Sequence, residues 1–455
     1  MTLVERPPAG TVVTPVDDYL PAAVLDVEVS RTIPEITAIG PEGRRRDRAW
    51  LLIRIFDEPI GAMTLPLDPD GGSPEAVAAA IDARFGTIIR ERVADAGGAL
   101  PGALPGALPG ALPTCGFSTP ATPPNLVART EALRQAPSIA VVVSTRDRPA
   151  TVSRCVRALL AQRYPDFRVI IVDNAPSTDE TRQWALQLTD RRIDYVMEPR
   201  PGLSWARNRG IAAARGQIIA FIDDDEVPDP HWLAEIARTF AAHPGADAVS
   251  GVIIPAEFET LPQDLFERYG GHSKGRGFTP AVFSPRTAHE QSPMYPLPPF
   301  GAGGNMAFRS EVFAEVGAFD VALGAGTAAK GGEDTEIMTR LLLRGGTIAY
   351  QPSVLVWHYH HRTWQGLHNV MQGYGIGLTA YYTSLVLGDP RRIVALIRLL
   401  PTALRDMFTG AGQGLTEVAD DFPKRLLSAK RRGMAAGPYR YLHARAQARR
   451  LARQA

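Results

Sequence analysis

The chain has 455 residues, 45% of them apolar and 21% charged, with a formal net charge of +1. That length accommodates two or three domains and a large core, and the near-neutral balance excludes a nucleic-acid binder acting through bulk charge. The balance hides a gradient, because residues 391–455 carry 14 Lys and Arg against 4 Asp and Glu.

The first residues, "MTLVERPPAGTVVTPVDD", lack a basic start followed by an apolar stretch, and Cys115 and Cys155 are the only cysteines. Both features fit a reducing, cytoplasmic setting. "AWLLIRIF" and "IGAMTLPL" read as two strands around a short turn. The segment from Ser73 to Asp95 reads as a helix with Ser73 as N-cap and Pro74 in the first position. Residues 1–97 are therefore expected to form a small N-terminal α+β accessory unit. "GALPGALPGALPGALP", residues 98–113, repeats a four-residue unit whose prolines forbid regular helix and sheet, so 98–137 reads as a Pro/Gly/Ala-rich linker.

Beyond the linker, strands and helices alternate. "SIAVVVST", "RVIIVD", "IDYVMEP" and "QIIAFID" are apolar, β-branched runs, and helices are expected from Pro149, over 179–188 and over 204–214. This alternation predicts an α/β domain at 138–362, a mostly parallel sheet with helices on both faces and ligands beyond the carboxyl ends of its strands.

Chemistry-bearing residues collect at those strand ends. Asp223, Asp224, Asp225 and Glu226 follow "IIAFI" directly, and carboxylates so close need a counter-charge or abundant water. In extended chain Asp223 and Asp225 face one way and Asp224 the other, a pairing that suits Mg²⁺ or Mn²⁺ with a substrate diphosphate. A solvated acidic loop is the plainer reading. Ser144, Thr145 and Arg146 close the first strand, and Asp173 closes the second, where it could accept hydrogen bonds from a nucleobase. "RPGLSWARNRG" places Gly202, Arg207 and Asn208 at a helix start, a setting that favours phosphate, although arginines there also suit a solvated helix face. In "FGAGGNMAFRS", Gly303, Gly304 and Asn305 would let backbone approach a donor sugar or acceptor; a tight turn into a strand fits equally. "GGED" sets Glu333 and Asp334 at a helix N-terminus, as a general base or as complements to the helix dipole. His358 and His360 share a strand face and His361 takes the other; His360 and His361 read as structural or exposed.

Together "VVVSTRDRP", "VIIVDN", "GLSWARNRGIAAARGQIIAFIDDD", "GGNMAFRSEVFAEVGAFD", "GGEDTEIMTRLLLRGG" and "VWHYHHRT" resemble the family 2 glycosyltransferases, inverting nucleotide-sugar transferases of the GT-A fold. The resemblance implies that Thr145, Arg146 and Asp173 hold the nucleoside. It makes Asp223 and Asp225 the outer members of a D-x-D metal motif, with Asp225 on the cation. Asp334 matches the catalytic base, and His358 matches a histidine touching the diphosphate or its metal. It further implies a nucleotide-sugar donor, a divalent cation (Mn²⁺ or Mg²⁺) and transfer with inversion to an acceptor hydroxyl. That acceptor could be a glycan, a lipid-linked sugar or a small molecule. The Q-x-x-R-W motif of the processive synthases is missing, which favours a single addition. Two rivals are a haloacid-dehalogenase-like phosphohydrolase with Asp223 as nucleophile and a catalytically silent sugar-binding module.

Residues 363–455 are expected to form a helical, basic C-terminal segment. Val370 to Gly388 is uncharged but dotted with polar residues and glycines, so it reads as packed or interfacial. Ile393, Leu396, Ile397 and Leu400 make an apolar stripe beside Arg391, Arg392 and Arg398. Such a helix suits peripheral contact with an anionic membrane, or simply packing on the catalytic domain.

Overall fold

The computed structural model describes residues 19–100, 112–273, 276–285, 300–409 and 422–454. The N-terminal unit has a three-stranded sheet of β1 (Ala22–Glu28), β2 (Arg48–Ile55) and β3 (Glu58–Pro66), with β1 parallel and β3 antiparallel to the central β2. The β2–β3 turn runs through Phe56 and Asp57, both at positive φ. Helix α1 (Pro74–Asp95) begins as its sequence dictates, the Ser73 side chain accepting from the Ala76 N–H.

This unit is fastened to the larger one. Leu52 packs with Val252, Ile254 and Leu355, and the buried Arg54 donates to both Asp26 (2.7 Å) and Asp229 (2.6 Å). Much of the repeat at 98–113 lies outside the described residues. The expected linker is not uniformly irregular, however, since it contains helix α2 (Pro124–Arg134). Arg129 on α2 binds Asp57 at 3.0 Å and Glu235 at 2.7 Å, bridging the two units.

The second sheet contains β4 (Ile139–Thr145), β5 (Phe167–Asn174), β6 (Ile193–Glu198), β7 (Ile218–Asp223), β8 (Glu226–Pro228), β9 (Ala248–Pro255), β10 (Ala281–Phe283), β11 (Met306–Arg309) and β12 (Ile348–His358). Its order is β10-β12-β9-β11-β7-β4-β5-β6, with β8 added beside β12. One face is covered by α3 (Pro149–Leu160), α4 (Glu180–Leu186) and α6 (Trp232–Ala242), and the other by α5 (Leu203–Ala213), α8 (Val312–Val316) and α9 (Glu333–Leu343). The expectation of a mostly parallel sheet needs correction. Pairs β4–β5, β4–β7, β5–β6 and β9–β12 are parallel, whereas β7–β11, β9–β11, β10–β12 and β8–β12 are antiparallel. The cause is β11, which inserts between β7 and β9 directly after the glycine-rich loop.

Asn305 holds that insertion in place. Fully buried, it donates through Nδ2 to the carbonyls of Val252 in β9 (2.9 Å) and Val354 in β12 (2.7 Å), and its Oδ1 accepts from the Trp232 indole of α6 (2.9 Å).

Behind α7 (Leu261–Arg268), the chain ends in α10 (Trp364–Gly388), α11 (Arg392–Thr409) and α12 (Lys424–Gln454). Helices α10 and α12 approach closely because glycines line their contact. A Cβ on Gly375 would fall 2.0 Å from the Lys430 carbonyl, and one on Gly433 would fall 2.4 Å from that of Gln372. The uncharged run 370–388 is thus a packed helix, and among the described residues no helix is long and apolar enough to cross a membrane. The expected stripe on α11 divides. Leu396 packs against α10 with Ala395 and Leu399, while Ile393, Val394 and Ile397 are 50%, 51% and 61% exposed. The Leu400 side chain lies outside the described residues.

Replacing Asn305 with Ala strands two carbonyls and an indole N–H inside the core, each costing about 1–3 kcal/mol. Equilibrium denaturation of Asn305→Ala should therefore show a loss of at least ~3 kcal/mol, with no requirement for ligand to reveal it.

Candidate active site

A cavity of about 610 Å³ opens at the carboxyl ends of β4 and β7 and is closed by α7, α10 and α12. Its floor is the acidic run, which is not extended: β7 ends at Asp223, Asp224 and Asp225 form a turn, and β8 starts at Glu226. All four carboxylates consequently line one cavity instead of alternating between two sides. Because β8 pairs with the end of β12 in the register Glu226 to His358, the turn is brought against His358.

Each carboxylate has a distinct partner. Asp223 accepts from buried Arg207 at 3.1 Å. Asp224 accepts from Arg148 at 2.6 Å and from the Thr145 hydroxyl at 2.6 Å. Asp225 is 3.0 Å from Arg148 and, through Oδ1, 3.4 Å from His358 Nε2. Glu226 is buried and accepts the Asp223 N–H at 3.0 Å. Burial and the neighbouring Asp225 push the Asp224 carboxyl up to about 7, despite Arg148. Burial would raise Asp225 as well, but His358 and Arg148 outweigh it and hold that carboxyl low. Glu226 is pushed well up by burial and then by Asp223.

Opposite lies the start of α9. Asp334 is half-buried, and its Oδ2 accepts the Gly303 N–H at 2.8 Å while Oδ1 accepts the Thr335 N–H at 2.7 Å. Glu333 also lines the cavity but is buried, and its Oε1 is bound by Arg207 at 2.9 Å. Burial and the adjacent Asp334 raise its carboxyl to about 7.

Several expected ligand contacts resolve differently. Arg207 is 2% exposed, with its terminal nitrogens committed to Glu333, Asp223 and the Gly303 carbonyl, so it buttresses the site instead of waiting for phosphate. Asn208 exchanges both amide hydrogen bonds with the Phe319 backbone, and Asn305 is the sheet tie described above; neither lines the cavity. Gly202, at φ 135°, precedes α5 and donates to the cavity-lining Asn174 but does not line the cavity itself. Gly303 and Gly304 do line it, yet what they admit is protein: a Cβ on Gly304 would fall 2.2 Å from the Glu226 carboxylate. Asp223 is already held by Arg207, an arrangement that does not favour an attacking aspartyl nucleophile.

Ser144, Thr145 and Arg146 line the cavity as expected. Asp173 is fully buried beside them, with Thr145 and Asp173 in register and the Tyr195 hydroxyl donating to Oδ2 at 2.8 Å. Among the described residues, Ser144 Oγ and Asp173 Oδ1 are buried without a partner, the kind of deficit that an incoming polar ligand removes. Asp225 and His358 offer an oxygen and an imidazole nitrogen at 3.4 Å, a hard and borderline donor set that fits Mn²⁺ or Mg²⁺.

Sequence reasoning passed over Arg148, although it stands two residues beyond Arg146 in "TRDRP". It also passed over Glu267, His272, Tyr374 and Lys430, which come from α7, the turn beyond it, α10 and α12 and carried no local motif. His360, read as structural or exposed, is buried and lines the cavity beside His358.

Removing the guanidinium that bridges Asp224 and Asp225 leaves two adjacent carboxylates without their cation. In EDTA, Arg148→Ala should melt about 2–4 °C below the wild type, the shift that ~1 kcal/mol produces in a domain of this size. Added Mn²⁺ should raise its melting temperature by more than it raises that of the wild type; scanning fluorimetry reads both.

Comparison with known proteins places this geometry in a family. The sequence profile described as "Glycosyl transferase family 2" matches residues 140–317. The glucosyl-dolichyl phosphate glucuronosyltransferase of Haloferax volcanii is 27% identical over 192 residues, 41% of this chain and 56% of that protein. The succinoglycan biosynthesis protein ExoM of Rhizobium meliloti is 29% identical over 226 residues, 48% of this chain and 65% of that protein. The chain thus spans just over half the length of the first of these relatives and under two thirds of the second. Among solved structures, the mannosyltransferase PcManGT of Pyrobaculum calidifontis, in complex with GDP-Man and Mn²⁺, aligns with a TM-score of 0.44. It is 19% identical and covers 70% of this chain and 94% of its own. Resting on the profile and the sequence relatives, the region spanning residues 140–317 is a glycosyl transferase family 2 domain.

Proposed function

We propose that the protein is an inverting, metal-assisted glycosyltransferase that moves one sugar from a nucleotide-sugar donor to an acceptor hydroxyl. The observation that carries this reading is a single cavity with an Asp225–His358 ligand pair on its sheet side and Asp334 on its α9 side. A divalent cation bound by Asp225 and His358 would stabilise charge on the departing diphosphate. Ser144 and Asp173 would accept from the nucleoside through their unpartnered oxygens. Arg148, 44% exposed, would remain close enough to accompany the phosphates. Asp334 would take the acceptor proton, its carboxylate aimed by the Gly303 and Thr335 N–H groups. Glu333, locked to Arg207, would hold that helix start in place instead of exchanging protons with substrate.

The reading is tested by screening UDP-, GDP- and dTDP-sugars for Mn²⁺-dependent binding and hydrolysis. At least one donor should bind and turn over, with loss in EDTA. Asp334→Asn keeps the shape but cannot accept a proton, and its single amide oxygen can keep only one of the two N–H contacts, so turnover should fall on the order of 10²-fold or more while donor affinity holds. Failure of every donor, or near-normal turnover by Asp334→Asn, would refute the assignment.

A lipid-linked acceptor at an anionic membrane surface accords with α11, whose outward Ile393, Val394 and Ile397 are exposed beside Arg391 and Arg398. Each basic residue near such a surface contributes about 1 kcal/mol before screening. The full chain should co-sediment with phosphatidylserine-containing vesicles at physiological salt. A Val394→Glu, Ile397→Glu double variant, altered only at exposed positions, should pellet several-fold less. Equal pelleting, or none by the wild type, would reject the contact.

A further inference from the structure

A chain of three polar contacts runs from helix α7 to the turn that carries Asp225. Glu267 Oε1 lies 2.7 Å from His360 Nε2, His360 Nδ1 lies 2.6 Å from His358 Nδ1, and His358 Nε2 lies 3.4 Å from Asp225 Oδ1. The arrangement is built tightly. His360 is 4% exposed, with the Phe266 ring centroid 4.7 Å from its own, and its carbonyl accepts from Gln263 at 3.2 Å. His272 packs edge-on against His358 at 4.4 Å. The Glu267 carboxylate is confined as well, since a Cβ on Gly271 would fall 2.1 Å from it.

The proton positions follow from donor and acceptor roles. A carboxylate only accepts, so His360 carries its proton on Nε2 and, as a neutral ring, presents a bare Nδ1. A bare Nδ1 at 2.6 Å from a second Nδ1 requires the proton to sit on His358. As a neutral ring His358 then has an unprotonated Nε2, and this faces a carboxylate oxygen at 3.4 Å. Two lone pairs aimed at each other across that gap repel unless a proton or a metal cation stands between them.

We propose that Glu267 and His360 are positioning residues that fix the tautomer and ring orientation of His358, so that its Nε2, together with Asp225, forms a preset nitrogen–oxygen ligand pair for a divalent cation. This rests on the metal-assisted reading above and adds an outer layer to it: a carboxylate, acting through one imidazole, sets the ligand face of another. Neither Glu267 nor His360 touches substrate in this scheme. Partners of this kind typically account for about 10–100-fold in metal affinity.

The test measures Mn²⁺ affinity of the full chain without nucleotide, by titration followed in electron paramagnetic resonance. Asp225→Asn should abolish binding. His360→Ala and Glu267→Ala should each weaken it about 10–100-fold. His360→Asn should restore much of the loss, because its amide oxygen can accept from His358 Nδ1 without any help from Glu267. Wild-type affinity in both alanine variants, with binding lost in Asp225→Asn, would overturn the positioning role and leave the metal reading standing. No binding by the wild type would overturn both. Should the alanine variants fail to fold, long-range proton–nitrogen correlation spectra of ¹⁵N-histidine-labelled wild type decide the matter. A His358 protonated on Nδ1 supports the relay, and one protonated on Nε2 alone overturns it.

Discussion

Four carboxyl groups, Asp224, Asp225, Glu226 and Glu333, are largely withdrawn from water along one cavity, and two arginines make that tolerable. Arg207 lies between Asp223 and Glu333, and Arg148 between Asp224 and Asp225. Burying unpaired carboxylates would cost several kcal/mol each, so the positions of these guanidinium groups constrain everything nearby. Arg207 reaches from α5, crosses beneath the glycine loop and ties β7 to the start of α9. The loop can pass over it only because Gly303 and Gly304 lack side chains: a Cβ would fall 3.0 Å from Arg207 in the first case and 2.2 Å from Glu226 in the second. The two arginines differ in exposure, and that separates their roles. Arg207 is enclosed and structural, whereas Arg148 stands at the cavity mouth, where a ligand can reach it.

The mixed sheet serves the same constraint. A purely parallel continuation beyond β7 would carry the chain away through a helix, leaving the acidic run as a free loop. Instead β11 enters antiparallel beside β7 and β8 pairs antiparallel with the end of β12. The first pairing sets the glycine loop against the strand end, and the second delivers His358 to Asp225. Both rest on a few residues of backbone ladder, with Asn305 securing β9, β12 and α6 around the insertion.

Much of this was legible from sequence, and the boundary of legibility has a physical cause. The strands at 139–145, 167–174, 193–198 and 218–223 announce themselves by apolar runs, and Pro149, Ser73 and Pro74 mark helix starts by their own backbone chemistry. The cluster Ser144, Thr145, Arg146, Asp223, Asp225 and Asp334 was recoverable because each stands at the end of a recognisable element. What failed was direction and commitment. The four residues of β11 carry no signal for antiparallel pairing, since that choice is made by tertiary contacts. Arg207 and Asn208 occupy a helix start that would suit phosphate, but sequence does not reveal that Glu333 lies 126 positions on and Phe319 111 positions on to claim them. His360 was left open between a structural and an exposed reading for a related reason: its burial depends on α7, which local pattern cannot bring to β12.

The family match ends at residue 317, and the cavity does not. Asp334, His358 and His360 lie beyond it, as do the α10 residues Leu367, Val370, Tyr374 and Leu378 and the α12 residue Lys430 that complete the wall. The two sides differ in chemistry. The sheet side is charged and rigidly paired, as suits a nucleotide and its diphosphate. The helical side is largely apolar and aromatic, and its Lys430 ammonium is held 2.6 Å from the Tyr269 hydroxyl. On the proposed reading, donor recognition would rest with the part of the chain that matches the family profile. Acceptor recognition would then rest with helices whose packing is set by Gly375, Gly433 and Gly437, outside that match. Substitutions that widen or tilt the α10–α12 contact would reshape this helical wall while leaving the carboxylate–arginine lattice untouched, which on that reading would make the helix pair the natural place for acceptor specificity to diverge.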